Sequence, residues 1–186
     1  MTQTHPGASI IAIHGKTPRI HPTAFIAPGC RIIGDVEIGE DASVWYNCVI
    51  RGDVNRITIG ARTNIQDGSV IHCDSVMPGA PEGFATEIGA DVLVGHMAML
   101  HGCVIEDRGF VGLSSTVMNG CVIESDAMLA AGALLPPGKR IPARQLWSGR
   151  PAVFMRELND AAVAGLKLGV AHYVENARHH RAALGV

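Results

Sequence analysis

Aliphatic residues recur at every sixth position over much of the chain, and polar or small residues fill the positions between them. The aliphatic positions are Ile38, Val44 and Ile50, then Ile59, Ile65 and Ile71, then Ile88, Val94 and Leu100, and finally Ile105, Val111, Val117, Ile123, Leu129 and Leu135. A period of six fits neither an α-helix nor the two-residue alternation of a single strand. It indicates a repeat architecture, in which each unit buries its apolar side only by stacking on its neighbours.

Glycine follows several of the aliphatic positions, as in Ile59-Gly60, Ile88-Gly89 and Val94-Gly95. This pattern resembles the hexapeptide-repeat family. The resemblance implies an all-β solenoid, namely a left-handed parallel β-helix with three flat faces and one hexapeptide on each face. Val, Ile and Leu would fill the narrow interior, while Gly and small polar residues would turn the corners. Large rings would not fit such an interior, and aromatic residues make up only 4% of the chain.

The repeat is interrupted by one long insertion and ends well before the C-terminus. Between Ile71 and Ile88 the spacing is 17 instead of six, and the intervening residues are rich in Pro and Gly. We therefore expect a left-handed β-helix over residues 1–152, with a protruding loop at 73–87. In residues 153–186 a 3.6-residue apolar period, with Asn159 or Asp160 as its cap, predicts a C-terminal helix that packs against the coil or a neighbouring subunit.

Composition and charge narrow the classes of function. The chain has 186 residues, 47% of them hydrophobic, which supports one domain with a substantial core. A net charge of -2 and the lack of any Lys or Arg run argue against a nucleic-acid partner. No apolar run approaches the ~20 residues of a membrane span, and the first residues do not resemble a signal peptide. We expect a cytoplasmic protein with no membrane partner, whose five cysteines form no CxxC pair and are reduced packing residues.

Counting in coils brings two of the histidines together. Arg51, His72 and His101 each follow an aliphatic position of the same face by one residue, so they form one column with neighbours ~4.8 Å apart. His96 stacks over Asp67 on a different face. A catalytic zinc ion takes three protein ligands and keeps one open position, and a neighbouring subunit could supply the third histidine. The alternative interpretation is that these are ordinary exposed polar residues among the nine histidines of the chain.

Four segments carry a closer resemblance. Arg51-Gly52-Asp53, Asn64-x-Gln66-Asp67, His72 after an aliphatic pair, and Gly95-His96-x4-His101-Gly102 resemble the signature of the gamma-class carbonic anhydrases. The resemblance covers residues 20–156 approximately and implies a homotrimer with carbon dioxide and bicarbonate as its substrates. It implies these metal ligands for Zn(II), with Fe(II) or Co(II) as alternatives: His72 and His101 of one subunit and His96 of the next. It also implies interface ion pairs at Arg51, Asp53 and Asp67, and catalytic roles for Asn64, Gln66 and Tyr173.

A divalent ion held by three neutral imidazoles can lower the pKa of bound water to about 7, and the resulting hydroxide would attack carbon dioxide. In the best-known gamma-class pattern a glutamate three residues after the first ligand carries the proton to solvent, whereas this chain has Ser75 there. Asp74, Glu82 or Glu87 are candidate substitutes. Two other functions stay open, an acyl-coenzyme A thioester hydrolase or transferase and a non-catalytic gamma-type assembly subunit. Retention of all three histidines weighs against the latter.

Overall fold

The computed structural model describes residues 5–185, which form a parallel β-solenoid of about eight turns followed by one helix. The predicted all-β solenoid with a C-terminal helix is confirmed. The elements are β1 (Ser9–Ile11), β2 (Arg19–Ile20), β3 (Phe25–Ile26), β4 (Arg31–Ile38), β5 (Ser43–Val44), β6 (Val49–Ile59), β7 (Asn64–Ile65), β8 (Val70–His72), β9 (Thr86–Ile88), β10 (Leu93–Val94), β11 (Met99–His101), β12 (Val104–Ile105), β13 (Phe110–Val111), β14 (Thr116–Val117), β15 (Val122–Ile123), β16 (Met128–Leu129), β17 (Leu134–Leu135), β18 (Arg140–Ile141), β19 (Gln145–Gly149), β20 (Ala152–Glu157) and α1 (Asp160–Leu184).

Successive coils contribute short parallel strands to three faces. The site face contains β8, β11, β14 and β17, the far face contains β9, β12, β15 and β18, and the helix face contains β3, β5, β7, β10, β13, β16 and β19. The long strand β6 belongs to two faces, because Val49–Arg51 pair with β8 while Ile57–Ile59 pair with β9. The site face and the far face are therefore one continuous sheet, joined at the N-terminal coils.

The aliphatic residues of the six-residue repeat fill the interior of the coil, as the pattern predicted. On the site face the fully buried stack consists of Ile50, Ile71, Leu100, Val117 and Leu135. Burying each such side chain stabilises the fold by about 1.5–3 kcal/mol relative to leaving it exposed. The same register continues at both ends of the predicted repeat, through buried Ile26 and Ile32 and through Ile141. The buried stack therefore extends beyond Ile38 and Leu135, within the range 1–152 predicted for the coil.

The corner between the far face and the helix face carries alternating charges. In each coil the charged residue at this corner is the third residue after the buried aliphatic residue of the far-face strand. The φ angles of these residues lie between 53° and 62°. In chain order these residues are Asp41, Arg62, Asp91, Arg108, Asp126 and Arg144. Arg62 donates two hydrogen bonds of 2.7 Å to Asp91, and Arg108 donates two of 2.8 and 3.1 Å to Asp126. We name this column of six residues the corner ladder.

The solenoid ends in a hairpin that the sequence did not predict. Strands β19 and β20 pair in antiparallel fashion, so within the predicted segment 153–186 the helix begins only at Asp160. The side chain of Asn159 caps α1 by accepting a hydrogen bond of 2.9 Å from the backbone of Ala162, and Gly185 ends the helix with a φ of 71°. Strand β20 gave no strand signal because its central residues 153–155 are consecutive, apolar and exposed, without alternation.

Helix α1 covers the helix face. Leu166 and Val170 pack against Leu93 of β10, and Tyr173 packs edge-on against Trp45 with ring centroids 5.5 Å apart. Within residues 5–185 no helix has the length and apolar character needed to cross a bilayer. The cytoplasmic location stays a prediction.

The insertion between β8 and β9 folds back on the coil. Its ends are held together by antiparallel pairing of Asp74 with Phe84, and the side-chain amide of Asn55 donates to the carbonyl oxygens of Asp74 and Glu82 at 3.0 and 2.9 Å. Phe84 lies over Gly102, where an added Cβ would come within 2.6 Å of the Phe84 Cβ. The loop proper therefore comprises residues 73–85 and is anchored beside the site face, because Thr86 and Glu87 already belong to β9.

Candidate metal centre

His72 and His101 face each other at one edge of the site face. Strand pairing places Arg51, His72 and His101 side by side on successive coils, in the column that the repeat register predicts. The two imidazole rings have centroids 5.0 Å apart, and Nδ1 of His72 lies 3.0 Å from Nε2 of His101. These two nitrogens face each other and are the atoms that could bind a shared cation.

An aspartate selects the tautomer of neutral His72. Nε2 of His72 lies 2.9 Å from Oδ1 of Asp53, and an ionised carboxylate only accepts, so Nε2–H donates and Nδ1 carries a lone pair. Arg51 donates to the other oxygen of Asp53 at 2.6 Å. Partial burial of Asp53 would raise its pKa, but the hydrogen bonds from His72 and Arg51 outweigh it and leave the pKa below its usual value. Asp53 is therefore charged and orients His72.

An amide selects the tautomer of neutral His101. Nδ1 of His101 lies 2.6 Å from Oδ1 of Asn119, and Nδ2 of Asn119 donates to Oδ2 of Asp74 at 2.8 Å. Because the carboxylate of Asp74 takes the amide N–H, the oxygen of Asn119 faces the ring, so Nδ1–H of His101 donates and its Nε2 carries a lone pair. Sequence reasoning missed Asn119 in this role, since the residue lies at a corner of the next coil.

The donor set fits a divalent metal ion. In these tautomers the lone pairs of His72 Nδ1 and His101 Nε2 meet at 3.0 Å, an arrangement that is repulsive unless a proton or a metal ion lies between them. Two imidazole nitrogens bound tetrahedrally to zinc at about 2.0–2.1 Å are about 3.4 Å apart, so a small adjustment suffices. Neutral imidazole suits Zn(II) as well as divalent iron and cobalt.

His96 lies at the corner where the chain passes from β10 of the helix face to β11, and so at the opposite edge of the site face. Its Nδ1 donates to Oδ2 of Asp67 at 2.8 Å, its side chain is 40% exposed, and its Nε2 is left with a lone pair. His96 lies in the turn before β11, while His101 is the last residue of that strand. The three extended residues of β11 alone span about 10 Å, so the two histidines cannot share an ion within one chain. Over residues 5–185 no three His, Cys, Asp or Glu side chains are grouped closely enough to hold a metal ion.

The remaining predicted site residues lie on the His96 side. Gln66 is only 6% exposed and donates to Oδ1 of Asn64 at 3.0 Å, on the helix face beneath α1. Tyr173 packs on Trp45, which lies one coil before Gln66. Burial raises the pKa of the Tyr173 phenol, and the charge of Asp67 raises it further.

The predicted residues thus form two separate groups on one chain. We name the first the column half-site; it comprises Arg51, Asp53, His72 and His101. We name the second the corner half-site; it comprises Asn64, Gln66, Asp67, His96 and Tyr173. Each histidine in both groups has one nitrogen held by an acceptor and the other available to a ligand.

Exposed apolar side chains accompany both half-sites. Val70 and Met99 are exposed on the site face beside the column half-site, and Met97, 65% exposed, and Leu113 lie at the corner half-site. Contiguous exposed apolar surface of this kind marks interaction sites. Next to His101 a mostly apolar cleft of about 670 Å³ runs between Phe84 of the loop and residues 137–138.

Comparison with known proteins agrees with this architecture. The family model for the bacterial transferase hexapeptide (six repeats) matches residues 17–52. Gamma carbonic anhydrase 2, mitochondrial, of Arabidopsis thaliana is 41% identical over 178 residues, which cover 92% of this chain and 62% of that protein. A "Probable carbonic anhydrase" of Methanocaldococcus jannaschii is 43% identical over 150 residues, covering 81% and 90%. The crystal structure of a hexapeptide transferase family protein from Anaplasma phagocytophilum superposes with a TM-score of 0.85 at 42% identity, covering 92% and 97%.

A parallel solenoid built on six-residue repeats, with paired histidines at one edge of a face, defines the class of hexapeptide-repeat proteins with a histidine centre. Within that class, the chain belongs to the gamma carbonic anhydrase family. It spans 62% and 63% of the lengths of two mitochondrial gamma carbonic anhydrases from Arabidopsis thaliana.

Proposed function

We propose that the protein is a homotrimer that reversibly hydrates carbon dioxide to bicarbonate at metal centres on its subunit interfaces. Each centre uses His72 and His101 of one subunit and His96 of the next. The observation that carries this proposal is the pair of facing nitrogens, His72 Nδ1 and His101 Nε2, whose lone pairs converge at 3.0 Å. Family membership agrees with it.

The placement of the half-sites supports a cyclic assembly. They lie at opposite edges of the site face, so neither can complete the other within one chain. In a ring that closes with threefold symmetry, one edge of a subunit contacts the opposite edge of its neighbour, which is a heterologous interface. Such an interface brings column half-site to corner half-site three times and buries the exposed side chains of Val70, Met97 and Met99.

Arg51 supports the same assembly electrostatically. Its guanidinium is partly exposed and donates one Nη to Asp53 within the chain, which leaves further donors unused. When the half-sites meet, these donors would face Asp67 of the neighbouring subunit, which is itself partly exposed. Arg51, Asp53 and Asp67 would then form an ion-pair network across the interface.

Different residues of the chain would have different roles in the hydration reaction. Zn(II), or Fe(II) or Co(II) in its place, would supply a water molecule acidified to a pKa of about 7 as the nucleophile. Asp53, Asn119 and Asp67 hold the three imidazoles in the required tautomers. Gln66 is fixed by its hydrogen bond to Asn64, which leaves Oε1 to accept a hydrogen bond from the nucleophile's O–H group. That hydrogen bond would aim the nucleophile's lone pair at carbon dioxide.

Metal content and hydration activity test this proposal together. Protein loaded with zinc, or anaerobically with iron, should retain about one ion per subunit and hydrate carbon dioxide. His101→Ala should lose both properties, whereas Asp107→Asn, a change at a corner remote from both half-sites, should keep them. Less than about a tenth of an equivalent of metal in the loaded wild-type protein would contradict the proposal.

One observation favours a second candidate, hydrolysis or transfer of an acyl thioester. The apolar cleft of about 670 Å³ beside His101 could take an acyl group, and a solved relative is described as a hexapeptide transferase family protein. Acetyl-coenzyme A turnover measured on the same metal-loaded samples separates the two activities. Metal binding without either activity would indicate the third alternative, a non-catalytic assembly role.

A further inference from the structure

Asp74 and Asn119 connect the inserted loop to His101 through side-chain hydrogen bonds. We propose that these two residues are positioning residues that fix the tautomer of His101, so that the loop of residues 73–85 is a working part of the metal centre. The inference rests on the proposed function, because it assigns the loop a role at that same site.

The two histidines of the column half-site are oriented by different chemistry. His72 has the carboxylate of Asp53 as its partner, which can only accept a hydrogen bond. His101 has the amide of Asn119, which presents either an oxygen or an NH2 group depending on its rotation by half a turn. The tautomer of His101 is therefore not determined by Asn119 alone.

The carboxylate of Asp74 removes this ambiguity. Oδ2 of Asp74 lies 2.8 Å from Nδ2 of Asn119 and accepts its N–H, so the amide oxygen must face His101. With the amide rotated, Asn119 would donate to Nδ1 of His101 and drive the ring proton onto Nε2. That proton would occupy the position where His101 offers its lone pair to the metal ion.

Asp74 is itself held by the structure around it. Its Oδ1 accepts the backbone N–H of Ser75 at 2.9 Å, and its backbone exchanges two hydrogen bonds of 2.8 and 3.1 Å with Phe84. Asn55 donates to its carbonyl oxygen at 3.0 Å. The loop therefore delivers a carboxylate of fixed position to the outer side of Asn119, which is what preorganisation of a metal ligand requires.

Four variants separate this role from simple packing. Asp74→Ala leaves Asn119 free to rotate, and Asn119→Leu removes the acceptor while keeping its size. The exchange Asp74→Asn with Asn119→Asp restores the hydrogen-bond pattern in reverse, since Asp at 119 accepts from His101 and from the new amide at 74. Asp107→Asn is the matched control, because Asp107 also accepts a backbone N–H, from Ala90 at 2.8 Å, far from the centre.

Two measurements on the full-length protein report the outcome. Long-range hydrogen–nitrogen NMR of the ¹⁵N-histidine-labelled, metal-free protein gives the tautomer of His101, identified by its loss in His101→Ala. Competition with a chelator gives the Zn(II) dissociation constant. Wild type and Asp107→Asn should hold the proton on Nδ1, whereas Asp74→Ala and Asn119→Leu should move it to Nε2 in part and weaken zinc binding about 10- to 100-fold. The exchanged pair should return both readouts towards wild type.

The outcomes distinguish this inference from the proposed function. If Asp74→Ala and Asn119→Leu keep the wild-type tautomer and zinc affinity, the inference is overturned while the metal centre stands. If the wild-type protein binds no zinc but its His101 tautomer shifts in the variants as described, the proposed function fails and the positioning role stands. Failure of the exchanged pair to recover the tautomer would assign the effects of the single variants to packing and would overturn the inference.

Discussion

At the scale of single residues, the candidate centre is defined by which ring nitrogen carries the proton. His72 and His101 use different nitrogens towards each other, Nδ1 and Nε2, because their outer partners lie on different sides of the two rings. The column itself follows from the sequence, since counting six residues per strand places both histidines on one face. Their partners do not follow in the same way: Asn119 reaches His101 diagonally from the next corner, and Asp74 depends on the path of a loop that has no period.

Ser75 determines how protons should leave the site. The residue is exposed and has no titratable group, at the position where the family pattern has a glutamate. We expect hydration by the wild-type protein to be slow in dilute buffer and to rise with imidazole, which can carry the proton instead. Ser75→Glu should raise turnover in dilute buffer by up to about 10²-fold and reduce the response to imidazole.

Stopped-flow hydration assays over an imidazole series measure this effect. Val76→Glu is the control, because that side chain is 68% exposed and adds the same charge one position further along the loop. Fast turnover in the wild type that does not depend on buffer would show that another group, such as Asp74, Glu82 or Glu87, already carries the proton.

At the scale of the elements, the coils were predictable and the C-terminal hairpin was not. The six-residue period specifies which side chains enter the interior, and the 3.6-residue period after Asn159 specifies α1. Strand β20 obeys neither rule, because it is an edge strand whose exposed residues Val153, Phe154 and Met155 do not alternate with buried ones. Its position results from pairing with β19, which is tertiary information.

Glycines within the coil keep successive turns in contact. A Cβ on Gly112 would lie 2.5 Å from the carbonyl carbon of Ala130 and closer still to the amide nitrogen of Ala131, both in the backbone of the next coil. We therefore expect Gly112→Ala to destabilise the fold by about 3 kcal/mol or more, since backbone cannot move aside as a side chain can.

Gly132→Ala is the comparison for Gly112→Ala. Gly132 has a φ of 69° but open space around its Cα, so the change should cost only the left-handed conformation, about 1–2 kcal/mol. Urea unfolding at one fixed protein concentration measures both. Equal losses for the two variants would mean that coil contact at Gly112 relaxes without strain.

At the scale of the whole molecule, the proposed centre shared between half-sites would make a single subunit an incomplete enzyme. His72→Ala and His96→Ala damage different half-sites, so in the proposed trimer each variant alone should be inactive. Every mixed ring contains one interface where an intact column half-site meets an intact corner half-site. Random mixing makes three quarters of the rings mixed, each with one good site in three, so about a quarter of wild-type activity should return.

Co-expression of the two variants with different affinity tags checks this directly, with hydration activity normalised to trimer. The unselected mixture should regain about a quarter of wild-type activity, and rings purified on both tags, which are all mixed, about a third. The matched control mixes His72→Ala with His101→Ala, which damage the same half-site and should not complement. If properly mixed rings stay inactive, the shared centre is contradicted. A centre whose ligands all come from one chain could not be restored by mixing these variants.

The charges of the corner ladder favour the native stacking order of the coils. The interiors of successive coils are nearly equivalent, so apolar packing alone would tolerate a chain that skips one coil and stacks on the next but one. Such a misplacement would set Arg62 against Arg108 and Asp91 against Asp126, and like charges directly opposite are destabilising. The native order instead pairs opposite charges at Arg62–Asp91 and Arg108–Asp126. The charge of one corner residue in each coil thereby favours the native stacking order over an order in which one coil is skipped.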